Sequence, residues 1–137
     1  MGYGLTNDSS YKGSRNAARK IAKSVWFNID NGAGTTIDDV ILVPDKDITI
    51  LSAKIVYVDA TTGTVAAGNA KIGTTVGGAE IAAATAYANT ATVGTTTAMT
   101  LVNPKVAAGT MVSVRHTGVA TTAAGQAYVQ IEFSVDK

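Results

Sequence analysis

The end of the chain constrains the fold most. Across residues 127–137, Val129, Ile131, Phe133 and Val135 fall on one side of an extended backbone. Tyr128, Gln130, Glu132, Ser134 and Asp136 fall on the other. Strict period-two alternation marks a strand with one dry face and one wet face. Burying each of the four apolar side chains contributes about 1.5–3 kcal/mol before chain entropy is set against it. Residues 111–117 (Met-Val-Ser-Val-Arg-His-Thr) form a second strand-like run, and residues 118–126 between the two are small and turn-like. A hairpin closing the chain is the expected arrangement.

Length and composition then set the bounds. At 137 residues, one domain is the default, and such a chain buries about two-thirds of the surface it exposes when unfolded. Much of the 46% apolar share is alanine, and aromatics make up only 6%. Ala, Gly and Thr dominate from Thr61 onward, so the core is expected to be thin or completed by another chain. The chain has no cysteine, which excludes a disulfide framework and thiolate metal sites. No run approaches the roughly 18 apolar residues of a membrane span, so no membrane partner is expected. The start lacks the basic-then-apolar order and cleavage site of a secretory signal, and the expectation is a protein soluble at synthesis and not exported by a standard route.

Charge is unevenly spread. Lys12, Arg15, Arg19, Lys20 and Lys23 against Asp8 alone give residues 1–24 a charge of +4, leaving −3 for the rest of this +1 chain. The first half of that segment is polar and punctuated by glycine. After Ser14, a candidate N-cap, the series Ala17/Ile21/Val25 and Ala18/Ala22/Trp26 have helical spacing. Val25, Phe27 and Ile29 instead alternate with Trp26, Asn28 and Asp30, which suits a strand starting at Val25. Two units follow: a basic N-terminal arm over 1–24, helical or extended, and a β domain over 25–137. The arm is either a solvated terminus or a segment that docks on an acidic surface or a neighbouring subunit.

Further along, Asp30-Asn31-Gly32-Ala33-Gly34 is a turn, because Asn and Gly accept positive φ. It lacks the ligand series of a calcium loop. Residues 36–43 form the next strand, stopped by Pro44. Residues 48–59 (ITILSAKIVYVD) are apolar on most of both faces, which places this strand centrally. Residues 70–99 approach low complexity, and Ile72-Gly73-Thr74-Thr75 is echoed by Val93-Gly94-Thr95-Thr96. Two copies fall short of the three or so that a solenoid needs. Residues 80–88 suit a helix by their alanines and a short strand by their flanks, and strand is the reading preferred. Residues 98–102 form another strand, ended at Asn103-Pro104. Seven or eight short strands of this kind describe an all-β fold, an antiparallel sandwich of two sheets.

No catalytic constellation is visible. His116 is the one histidine, so one chain cannot build a histidine metal cluster or a histidine pair. It alternates with Val114 on the apolar face, as a satisfied or interfacial histidine does. No nucleophile elbow accompanies any serine, and Asp38/Asp39 and Asp45/Asp47 are adjacent acids rather than opposed ones. The glycine-rich stretches lack a phosphate loop. Tyr11 among cations is not the set of stacking aromatics that single-stranded nucleic acid requires. The expectation is no enzyme, no cofactor, no metal and no nucleic acid.

A basic arm, then VWFNIDNG, ITILSAKIVYVD, a Gly-Thr-Ala middle, and the closing AAGTMVSVRHTG and GQAYVQIEFSVDK together resemble the small jelly-roll decoration (cement) proteins of tailed bacteriophage heads. Related folds form shafts and bases of head fibres. The resemblance covers most of residues 25–137 and lies in texture and strand order. It implies a jelly-roll-like sandwich and a homotrimer at a three-fold position outside an icosahedral capsid, with the arm reaching across the major capsid protein. Such a protein assembles in the bacterial cytoplasm and ends in the virion. Applied to this chain, the capsid-binding arm comprises Lys12, Arg15, Arg19, Lys20, Ile21, Lys23 and Trp26, cations drawing it in and Ile21, Val25 and Trp26 fixing it by burial. The alternative is a receptor- or carbohydrate-binding module of a phage fibre or bacterial surface appendage. That module needs a groove of exposed aromatics, for which Trp26, Tyr57, Tyr87 and Tyr128 are the candidates.

Overall fold

The computed structural model describes residues 19–136. Among them the regular structure is all β: β1 (Lys20–Lys23), β2 (Phe27–Asn28), β3 (Thr36–Leu42), β4 (Ile48–Thr62), β5 (Asn69–Gly73), β6 (Ala82–Ala86), β7 (Thr96–Ala98), β8 (Lys105–Val106), β9 (Val112–Thr117) and β10 (Ala124–Val135). They make two antiparallel sheets. The first runs β1-β10-β4-β7, with β2 also on β10 and β8 also on β4, and the second runs β3-β9-β5-β6. The chain passes repeatedly between the sheets, giving a jelly-roll-like sandwich.

The alternation of the last strand holds. Val129, Ile131 and Phe133 are buried, and Tyr128, Gln130, Glu132 and Ser134 are half-buried on the outer side. Val135, at the strand's end, is exposed. As expected, β4 is central, paired with β10 on one side and with β7 and β8 on the other. Its two faces differ more than the sequence suggests: Ile48, Ile50, Ile55 and Tyr57 are buried, whereas Leu51 is exposed.

The closing hairpin does not form. β9 pairs with β3 and β5, while β10 pairs with β4, β1 and β2. Each strand has one fully buried face, Val112, Val114 and His116 on one and Val129, Ile131 and Phe133 on the other. The 12-residue β10 finds a longer ladder on the 15-residue β4 than the six-residue β9 offers, and the two buried faces then meet across the core. The connection crosses the sandwich and pairs with the Asp30–Gly34 turn instead. Val119 N donates to Ile29 O (2.9 Å), Gly32 N to Val119 O (2.9 Å) and Gly34 N to Gly118 O (3.2 Å). Gly32 and Gly34 both have positive φ, as that turn requires. A Cβ at Gly118 would overlap the Asn31 carboxamide, so glycine alone fits there.

Two boundaries move. Strand structure begins at Lys20, not Val25, because β1 pairs with β10 through Lys20↔Phe133, Ile21↔Glu132, Ala22↔Ile131 and Lys23↔Gln130. The C-terminal part of the expected arm is therefore an edge strand, extended rather than helical. The strand expected at 98–102 is β7 at Thr96–Ala98, and beyond it Leu101 makes only an isolated bridge to Ala82. The core is also fuller than the alanine content suggests. Isoleucines 29, 48, 50, 55, 72, 81 and 131 pack with Phe27, Tyr57 and Tyr87 in one cluster, and one chain closes it.

Candidate interaction surface

Between β1 and β2 the backbone steps away from β10 and returns. Ser24 bridges the step: its N–H donates to Val129 O (2.8 Å), and its Oγ accepts from Val129 N–H (2.9 Å). The hydroxyl thus replaces a ladder partner, satisfying a backbone amide that would otherwise be buried without one. Next, Val25 N–H donates to Asp39 Oδ2 at 2.8 Å, tying the step to β3 of the other sheet. Fixed at both sheets, the backbone presents Val25 and Trp26 to solvent, 56% and 63% exposed.

Trp26 lies nearly parallel to Tyr128 of β10, with ring centroids 6.5 Å apart and an interplanar angle of 11°. Lys23 Nζ sits 5.6 Å from the Tyr128 centroid, a cation–π distance. By register, Ile21 shares an outward row with Glu132 and Ser52, Lys23 shares the next with Gln130 and Lys54, and Tyr128 pairs with Val56. Arg19 Nη1 reaches Glu132 Oε1 at 3.2 Å. This surface therefore gathers Arg19, Ile21, Lys23 and Trp26 of the expected arm; Lys20 pairs with Phe133 and lies on the other row of β1, and Lys12 and Arg15 lie outside the described residues. Sequence reading named Tyr128 only as a candidate for an aromatic groove, not as a neighbour of the arm, and it missed Lys54, which β4 brings alongside, and Ser24 and Asp39, which hold the step. The one signal for Tyr128 was its place as an aromatic on the wet face of an alternating strand.

Directly beneath lies a buried polar anchor. Phe27, next to the exposed Trp26, points inward and stacks on His116 with centroids 4.0 Å apart. His116 Nε2 donates to Asn28 O at 3.0 Å, and Nδ1 meets the Tyr87 hydroxyl, which also lies 3.0 Å from Asn69 O. Burial holds His116 neutral, pushing its pKa down to about 4 against the opposing pull of the Asn28 carbonyl, and burial also raises the Tyr87 phenol. The histidine is therefore a satisfied core residue, and it clamps β2 to the second sheet.

The remaining polar features are structural. Arg115 forks onto Asp38 (Nε–Oδ1 2.7 Å, Nη2–Oδ2 2.8 Å), and this hydrogen-bonded guanidinium lowers the Asp38 pKa. Lys105, Thr49 and Asp136 satisfy one another at the rim of a shallow recess. Among the described residues no group of three or more His, Cys, Asp or Glu is placed to hold a metal ion. Tyr57 and Tyr87 are buried, so the four-aromatic groove does not form, leaving Trp26 and Tyr128 on the outside.

No protein-family model matches the chain, and no curated protein matches it. Among solved structures, a chain of the cyanophage Pam1 capsid asymmetric unit is similar, with a TM-score of 0.59 and 15% identity, over 86% of this chain and 85% of that one. At such identity the likeness is one of fold, and it runs nearly the full length of both chains.

Proposed function

We propose that this chain is a structural virion protein, without enzymatic activity, that binds the outside of a phage capsid and stabilises it as a decoration (cement) protein. The observation that carries the reading is the fold likeness, over most of both chains, to a chain of a phage capsid asymmetric unit. The partner is the major capsid protein, the acting form is a homotrimer, and the protein is assembled onto the particle in the bacterial cytoplasm. Supporting the reading is a surface with three large exposed apolar side chains, Ile21, Val25 and Trp26, on a tied backbone. A protein that works alone has little reason to hold these in water. Particles of the encoding phage prepared without this chain should sediment with the added protein to a fixed number of copies, a multiple of three. They should also withstand more heat when decorated. Absence of binding, or binding as isolated single copies, would overturn the reading.

A further inference from the structure

We infer that the contact with the shell is made by the outer face of β1 together with the Val25–Trp26 step, with Trp26 as its anchor, and that it fits an acidic protein surface containing an apolar recess. This rests on the capsid reading and goes beyond it in locating the contact on the folded body and in giving the partner's chemistry.

Three observations converge on this face. First, Ile21, Val25 and Trp26 are the large apolar groups exposed along the eight residues from Arg19 to Trp26. Tryptophan is the side chain that most often dominates an interface when it enters a desolvated pocket. Second, the backbone that carries them is already fixed by the bonds of Ser24 to Val129 and of Val25 to Asp39. Trp26 rests on Tyr128. Little ordering entropy is lost on docking, so more of the contact energy appears as affinity.

Third, the surrounding charge selects the partner. Arg19, Lys23 and Lys54 lie on this face beside the step, and the neighbouring carboxylates are already engaged, Glu132 by Arg19 and Asp39 by the Val25 amide. Acidic groups on the partner would meet Lys23 and Lys54, which form no ion pair among the described residues, and this speeds and orients encounter. A second copy of this face would instead set cations against cations, so an isologous self-contact is disfavoured. A glycan or a nucleic acid strand would stack on several open rings. Here Tyr128 is flanked by Trp26 and Lys23, and Ile21 and Val25 offer no ring.

Sedimentation binding to particles of the encoding phage lacking this protein tests the assignment. Trp26→Ala should weaken binding by at least about 30-fold, the loss expected of a hot-spot aromatic. Lys23→Glu combined with Lys54→Glu should also weaken it and flatten its salt dependence. Val93→Ala, at an equally exposed valine elsewhere, should bind as the parent does. Circular dichroism melts should show all of these variants folded. If the parent binds and Trp26→Ala binds equally well, the assignment of the face fails while the capsid reading stands. If the parent does not bind, both fail. Trp26 is the one tryptophan in the chain. Quenching of its fluorescence by a single-stranded oligonucleotide, but not by shell protein, would overturn the choice of an acidic protein partner.

Discussion

Ile21, Val25 and Trp26 are 57%, 56% and 63% exposed, and Val76, Val93 and Val102 are 54%, 66% and 61% exposed. By exposure alone the two sets match. They differ in what holds them. Each valine stands singly on a turn or bend of the Gly-Thr-Ala part of the chain, and scattered apolar groups of that kind are ordinary on a protein surface. The N-terminal trio lies together on β1 and on a step whose amides are bonded to both sheets, above a buried stack of Phe27 on His116. Exposed apolar surface on a fixed, deeply anchored backbone loses little freedom on docking, which is what the proposed contact asks of it. Anchoring, rather than exposure, is what sets the two groups apart.

The sharpest way to break that comparison is to cut the anchor. Phe27 is buried against His116 and Tyr87, so Phe27→Ala should cost about 3–5 kcal/mol in a denaturant melt. A loss below about 1 kcal/mol would show that β2 is loosely attached and that the step is not fixed from below.

Acid should loosen the same anchor. His116 has a pKa near 4 in the folded chain because burial disfavours its charged form, against an ordinary value near 6.5. Folding is therefore opposed wherever the unfolded chain takes up the proton and the folded chain does not. The stability from a neutral His116 is complete above about pH 6.5 and is lost as pH falls toward 4, by at most about 3 kcal/mol. His116→Gln, which keeps a donor for Asn28 O, should flatten the pH dependence in that window. An unchanged slope would show that His116 does not set the acid sensitivity in that window; Asp38, which the Arg115 fork holds below the usual range, contributes only at lower pH, below about 4.

The smallest effects fall on the exposed groups themselves. Trp26→Ala loses only its stack on Tyr128 and should cost less than about 1 kcal/mol of stability. Val93→Ala should stay within about 0.5 kcal/mol. Equal, large losses at Phe27 and Trp26 would mean that Trp26 belongs to the core and not to a docking face.

How far the sequence could be read follows from the physics of each element. The register of β10 was legible because alternation is a local property of the strand, and the centrality of β4 followed from its run of isoleucine and valine. The partner of β10 was not legible, since alternation defines a buried face but not the strand beside it. The connection over residues 118–123 looks like a turn whether it closes a hairpin or crosses between sheets. β1 was hidden for another reason: Lys-Ile-Ala-Lys is short, its alanine spacing also suits a helix, and only pairing with β10 makes it a strand. Of the surface, the cations and Trp26 were readable as a cluster in the sequence. Tyr128, more than a hundred residues away, joins them only through the Phe27↔Ala127 pairing.

The most direct test is an electron cryomicroscopy map of particles decorated with the full chain, at a resolution that shows side chains. The expected map has three copies around each occupied three-fold position, with the outer face of β1 against the major capsid protein and Trp26 buried among carboxylate-rimmed apolar side chains. A map in which the bound protein turns β1 and Trp26 toward solvent and meets the shell through β3, β6 or β7 would contradict it.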